Sequence, residues 1–327
     1  MNAQTVFFSP DGRIRPIWRF FLSVVAVVLV VIAVQFLLGL ALGLAGISPT
    51  FFLSNALSGL STFAALLGIF GLFARFFEAK PLGSVGLAFR GRWRTELGIG
   101  LAVGAIMILT VAGLEWALGI ARFSWRGDGL QPLIVWSGGI VMLALAAANE
   151  EMVFRGYPFQ RLVESIGVAG AIVVLSALFG AVHLRNPNRT WVSAANTALV
   201  GIPFSIAYLR TRMLWLPIGM HFAWNFVQGF VLGLPVSGIS FPVALLRAEV
   251  VGSKLLTGGE YGPEGGLLAT GMVVVATGYL AFSKSIYVSE ETRALVFGPA
   301  VPREPEAITL NLDESEADSG PDVPRQE

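Results

Sequence analysis

The run from Phe20 to Leu44 carries no charged residue over about 25 positions, enough for a helix rising 1.5 Å per residue to span roughly 30 Å of hydrocarbon. In lipid a lone segment satisfies its backbone polar groups only as a helix, so the first element is constrained in kind before the rest is read. Arg13, Arg15 and Arg19 precede the run as the charged opening of a signal peptide would. The run is too long for a signal core, and it is expected to be a retained transmembrane helix.

Seven more apolar runs follow, at Phe51–Phe73, Leu97–Leu118, Leu133–Ala148, Val168–Val182, Val192–Leu209, Leu214–Leu232 and Leu267–Phe282. Several are short and contain Gly or Pro, which membrane helices accept where neighbours cover the freed backbone groups. With 55% apolar and 13% charged residues, lipid is the solvent for most of the chain. The expected fold is therefore all-α, a polytopic membrane bundle of about eight transmembrane helices.

Loop charge orients the bundle. An N-terminus in the cytoplasm places Arg13, Arg15 and Arg19 inside, the uncharged Ala45–Thr50 turn outside, and Arg75, Lys80, Arg90, Arg92 and Arg94 inside again. An even number of spans returns the C-terminus to the cytoplasm. No repeat supports an inverted-repeat transporter architecture. Gly233–Gly266 reads as a loop with a short amphipathic piece, and the acidic, Pro-containing stretch 298–327 reads as disordered.

A net charge of +1, with no basic stripe interleaved with aromatics, argues against a nucleic-acid partner. The absence of cysteine removes thiol nucleophiles, disulfides and Cys-ligated metals. Chemistry is left to carboxylate, imidazole, hydroxyl and amide groups, and ionisable residues within a span are by default functional candidates.

Three groups of such residues stand out. Asn149-Glu150-Glu151-Met152-Val153-Phe154-Arg155 follows an apolar run; Glu151 and Arg155 are four apart in the favourable order, while Glu150 is turned about 100° away. Arg155 can then neutralise Glu151 and leave Glu150 free to act on water or substrate; the bland reading is a helix end at the membrane surface. The two histidines of the chain each have a helical partner at four residues, in Phe179-x-x-x-His183 and His221-x-x-x-Asn225. A single buried histidine is usually structural, but two with an amide and an acidic pair form a chemically competent set.

A carboxylate and an imidazole sharing a water can deprotonate it, and a second imidazole with an amide can donate to an oxyanion. The same groups can instead ligate a divalent metal such as zinc, through Glu150, His183 and His221, although His-Glu-x-x-His is absent. Ser176 and Ser205 lack a nucleophile setting, and the spans hold no Asp pair, which argues against serine and aspartyl intramembrane catalysis.

Glu150-Glu151-x-x-x-Arg155, Phe179-x-x-x-His183 and His221-x-x-x-Asn225, in that order and in separate apolar helices, resemble the motif set of the CAAX prenyl protease and bacteriocin-processing (CPBP, Abi-like) family. The resemblance covers roughly Leu133 to Leu232, including Leu216-Pro217-Ile218-Gly219-Met220-His221, which is typical of bacterial members. It implies an intramembrane endopeptidase acting on membrane-associated, CAAX-type or other peptides, with its active site inside the membrane. Glu150 and His183 would activate the water, His221 and Asn225 would stabilise the oxyanion, and Glu151, Arg155 and Phe179 would support them. Metal-dependent and metal-free mechanisms are equally compatible with these residues.

The resemblance divides the chain into N-terminal transmembrane helices (1–125), a catalytic core (126–235), a loop with a C-terminal transmembrane helix (236–297) and the tail (298–327). The expected partners are the lipid bilayer and a membrane-bound peptide or protein, and the expected location is the bacterial plasma membrane. The alternatives are a non-catalytic scaffold or bacteriocin self-immunity protein of the same fold and a proton-coupled transporter using Glu150 and the histidines as a relay.

Overall fold

The computed structural model describes residues 6–89, 91–127, 133–241, 243–290 and 292. Arg90 of the basic loop and the expected disordered tail 298–327 lie outside the described residues. The main elements are α1 (Pro16–Leu44), α2 (Phe51–Glu78), α3 (Trp93–Ala117), β1 (Ala121–Trp125), α4 (Leu133–Arg155), α5 (Tyr157–Val182), α6 (Trp191–Thr211), α7 (Trp215–Phe226), β2 (Leu246–Val250) and α8 (Leu267–Phe282). Each of the eight apolar runs contributes a helix, and the protein is a membrane helix bundle. Among the described residues, five segments are long and apolar enough to cross a membrane: α1, α2, α3, the α4–α5 stretch Val135–Arg185, and α6; α8 is shorter.

Helix boundaries follow local chemistry. α1 opens on Pro16, whose missing N–H costs nothing in a first turn. Thr50 caps α2 by accepting from the Leu53 N–H, and Ala79, in the left-handed region, ends it before Pro81. α4 runs on through the acidic pair to Arg155, beyond the expected limit at Ala148. α5 starts at Tyr157 rather than Val168, but Gly167, at φ 78°, breaks it into two pieces, and the second piece matches the expected apolar run. α7 is only 12 residues long and continues as a π-turn over Val227–Val231.

The structure adds one feature that the apolar pattern does not signal. β1 and β2 pair antiparallel, from Ala121 opposite Val250 to Trp125 opposite Leu246. Phe123, Leu246, Ala248 and Val250 of this ribbon pack on Ile108, Ala112, Leu232 and Leu234. The segment read as a loop thus folds back over α3 and the end of α7.

Two packing arrangements position the site. In the first, α3 and α7 approach through small residues: a Cβ at Gly100 would lie 2.3 Å from the Leu216 carbonyl oxygen, and one at Gly104 would lie 2.2 Å from that of Met220. This Gly-x-x-x-Gly stripe lets the backbones touch, as membrane helices do where dispersion rather than hydrophobicity drives association. In the second, α1, α2 and α5 meet at Glu78, whose Oε1 accepts from Arg19 at 2.5 Å and from the Tyr157 hydroxyl at 3.0 Å and pairs with Arg161 at 2.5 Å. Leu66, Phe70, Tyr157, Phe159, Leu175 and Tyr208 fill the core beside this junction. Away from it, Leu29, Ile32 and Phe36 of α1 are exposed, as expected of a lipid-facing helix.

Candidate active site

Three helices deliver the six charged, imidazole and amide groups of the expected site. α4 carries Glu150, Glu151 and Arg155; α5 ends on Val182 with His183 as its C-cap; α7 carries His221 and Asn225.

Glu151 and Arg155, both buried, form an ion pair at 3.2 Å within α4. Arg155 also donates to the Gly201 carbonyl of α6 at 3.2 Å, and its guanidinium lies 4.7 Å from the Phe179 ring and 5.3 Å from that of Phe204. Aromatic faces accept such a cation where water is excluded. Glu151 has a second partner that helical spacing does not reveal: its Oε1 lies 3.0 Å from His221 Nδ1. The carboxylate therefore joins α4 to α7, and the His221 ring is stacked on Phe204 at 5.3 Å.

His183 is held differently. Its Nδ1 lies 2.7 Å from the Phe179 carbonyl, and the Phe179 ring meets the imidazole edge-on at 4.6 Å. A carbonyl only accepts, so Nδ1 carries the proton and Nε2 is the free nitrogen.

Glu150 projects between the two rings. Its Oε2 is 3.9 Å from His183 Nε2 and 3.8 Å from His221 Nε2. The side chain is 37% exposed, yet Oε2 itself is buried and has no hydrogen-bond partner among the described residues. These separations exceed a direct hydrogen bond, and a water is the group that spans such gaps. An orphaned buried oxygen facing two ring nitrogens is a place for a water to sit.

The zinc reading of Glu150, His183 and His221 meets a geometric difficulty. Ligands on tetrahedral zinc at about 2 Å stand roughly 3.3 Å apart. The carboxylate–imidazole separations here are wider, and no group of three His, Asp or Glu side chains among the described residues is arranged to hold a metal ion. The donor set as it stands does not fit a zinc shell.

A cavity adjoins these groups. His183, His221 and Asn225 are among its polar lining, and Met107 of α3, Val200 of α6, Met220 of α7 and Val273 of α8 are among its apolar lining. Asn225 is half-buried on this surface, one helical turn beyond His221. Phe204, Trp224, Ser237 and Glu264 also border the cavity and were not singled out from sequence. Phe204 follows Pro203 within α6 and reads there as core; Glu264 lies in the stretch read as a loop, with no periodicity to mark it.

Residues 132–227, from just before α4 to the first residue past α7, match the model of the type II CAAX prenyl endopeptidase Rce1-like family. No curated protein and no solved structure matches the chain. The matched segment holds Glu150, Glu151, Arg155, Phe179, His183, His221 and Asn225. Over residues 132–227 this integral membrane protein is therefore similar to the Rce1-like type II CAAX prenyl endopeptidases, a family of proteases.

Proposed function

We propose that the protein is an intramembrane endopeptidase that hydrolyses membrane-associated peptides, CAAX-type prenylated peptides among them, with a water activated by Glu150 and His183. The observation that carries this reading is the unpartnered Glu150 Oε2 set between the two Nε2 atoms.

A water bridging Glu150 Oε2 and His183 Nε2 donates one hydrogen to each and directs its lone pair at the scissile carbonyl carbon. As the C–O bond forms, its proton passes to this pair, and the pair returns it to the leaving amine when the C–N bond breaks. The partner of each Nδ1 divides the work between the histidines. His183 leans on a neutral carbonyl and presents a free Nε2 to the water. His221 leans on the Glu151 carboxylate, a partner suited to an imidazole protonated on both nitrogens, and so offers an Nε2–H to the developing oxyanion. The Asn225 amide supplies a second donor from the same helix face.

In this reading the N- and C-termini face the cytoplasm of a bacterial plasma membrane, in keeping with the excess of Arg and Lys at the first inner loops. The test is cleavage of a panel of membrane-tethered peptides, including a prenylated CAAX peptide, by the wild type and Glu150→Ala. Cleavage lost in the variant is expected. Equal cleavage by both enzymes would remove Glu150 from the chemistry, and a folded wild type that binds the peptides but cuts none would favour the scaffold.

A further inference from the structure

One carboxyl group lines the catalytic cavity from outside the family segment and outside every role assigned above. It belongs to Glu264, in the turn Pro263–Gly265 that leads into α8. Its placement is built from both sides. Asn196 of α6 donates to the Glu264 carbonyl at 2.8 Å, which pins the turn to the bundle. The side-chain Oε2 accepts from the Ser237 N–H at 2.6 Å and the Ser237 hydroxyl at 2.9 Å, and Oε1 accepts from Trp224 Nε1 at 3.3 Å.

Three donors on two oxygens suit a carboxylate, whose four lone-pair positions are not all filled by them. Protein surrounds the residue, yet it retains accessible surface, and that surface is part of the cavity lining shared with His183 and Asn225. Burial holds the Glu264 carboxyl above its usual range, an effect that the Ser237 donors and the nearby His183 reduce without cancelling.

Glu264 is the only acidic side chain among the described residues that line the cavity. A peptide held in this cavity therefore meets apolar walls, the catalytic groups and the Glu264 carboxylate. With little water to screen it, that charge attracts a cation and repels an anion more strongly than a surface carboxylate does.

We propose that Glu264 is a specificity-determining residue: its carboxylate accepts the cationic side chain of a Lys or Arg near the scissile bond and disfavours an acidic side chain there. The inference rests on the proteolytic reading and adds a substrate class to it.

The experiment uses the full-length protein in detergent or vesicles and one cleavable membrane-tethered peptide in which Lys, Nε-acetyl-lysine, Ala or Glu is placed in turn at each position flanking the cut. At one position kcat/KM for Lys should exceed that for Glu by about tenfold or more. Glu264→Gln should bring that ratio close to one, and Glu264→Lys should invert it. Comparing Lys with its acetylated form on the wild type needs no variant, so a Glu264 variant that fails to fold does not shield the idea. Wild-type cleavage with no Lys preference at any position overturns the inference and leaves the protease reading intact, as does a Lys/Glu ratio unchanged in Glu264→Gln. No cleavage of any peptide removes that reading and this inference together.

Discussion

His221 Nδ1 lies 3.0 Å from Glu151 Oε1, a contact between residues 70 positions apart that fastens α7 to α4. Glu151 is fully buried and also pairs with Arg155, so one carboxylate serves a cation on its own helix and an imidazole on another. Removing either charge strands the other in a dry setting, which costs about 3–5 kcal/mol. Glu151→Ala and Arg155→Ala should therefore lower the yield of monodisperse protein and its melting temperature; activity should fall in proportion to folded material in Arg155→Ala and further than that in Glu151→Ala, which also strips His221 of its Nδ1 partner. A melting curve like that of the wild type in both variants would show that the pair does not hold this junction.

Glu150 Oε2 makes no direct hydrogen bond among the described residues and the side chain is partly exposed, so its loss should leave the fold in place. Glu150→Ala is expected to insert and melt normally while kcat/KM drops by roughly 10²- to 10⁴-fold, the range for a general base. His183→Ala should behave alike, because the imidazole it removes is the other acceptor of the water. Full activity in Glu150→Ala contradicts the assignment.

Asn225 lines the cavity one turn past His221. If its amide meets the oxyanion, Asn225→Ala should lower kcat by about 10²- to 10³-fold with little change in KM, since the contact exists only as charge develops. A rise in KM at constant kcat would place Asn225 in ground-state binding instead.

The close approach of α3 and α7 makes a prediction remote from the chemistry. A methyl group at Gly104 would meet the Met220 carbonyl oxygen at 2.2 Å, so Gly104→Ala must push α7, and His221 with it, away from α3. Overpacking of this kind costs about 1–3 kcal/mol, and both melting temperature and kcat should fall. Gly98 has open space around it, and Gly98→Ala should be neutral or slightly stabilising through helix propensity, by about 0.5–1 kcal/mol. Equal behaviour of the two variants in a thermal melt would argue against backbone contact.

The wide spacing of Glu150 from both imidazoles predicts that activity survives chelation. Cleavage by protein treated with EDTA or 1,10-phenanthroline should match that of untreated protein. Activity that is lost on chelation and restored by zinc would show that these side chains close around a metal.

The amino-acid sequence by itself determined the eight apolar runs, the Glu151–Arg155 pairing and the position of His183 at a helix end. These features depend on hydrophobic length and on a 3.6-residue period, both of which act within one segment. It also placed Glu150, His183, His221 and Asn225 as chemical candidates, because ionisable groups are scarce where lipid is the solvent. Tertiary structure decided which of them meet. The Glu151–His221 contact, the stacking of Phe204 on His221, the β1–β2 ribbon and the arrival of Glu264 at the cavity depend on how separate segments approach one another. That approach is set at contacts such as Gly100 and Gly104 against α7, where the missing side chains matter only once the partner helix is in place. Periodicity gives each helix its faces, whereas the register between helices is fixed only by packing in three dimensions.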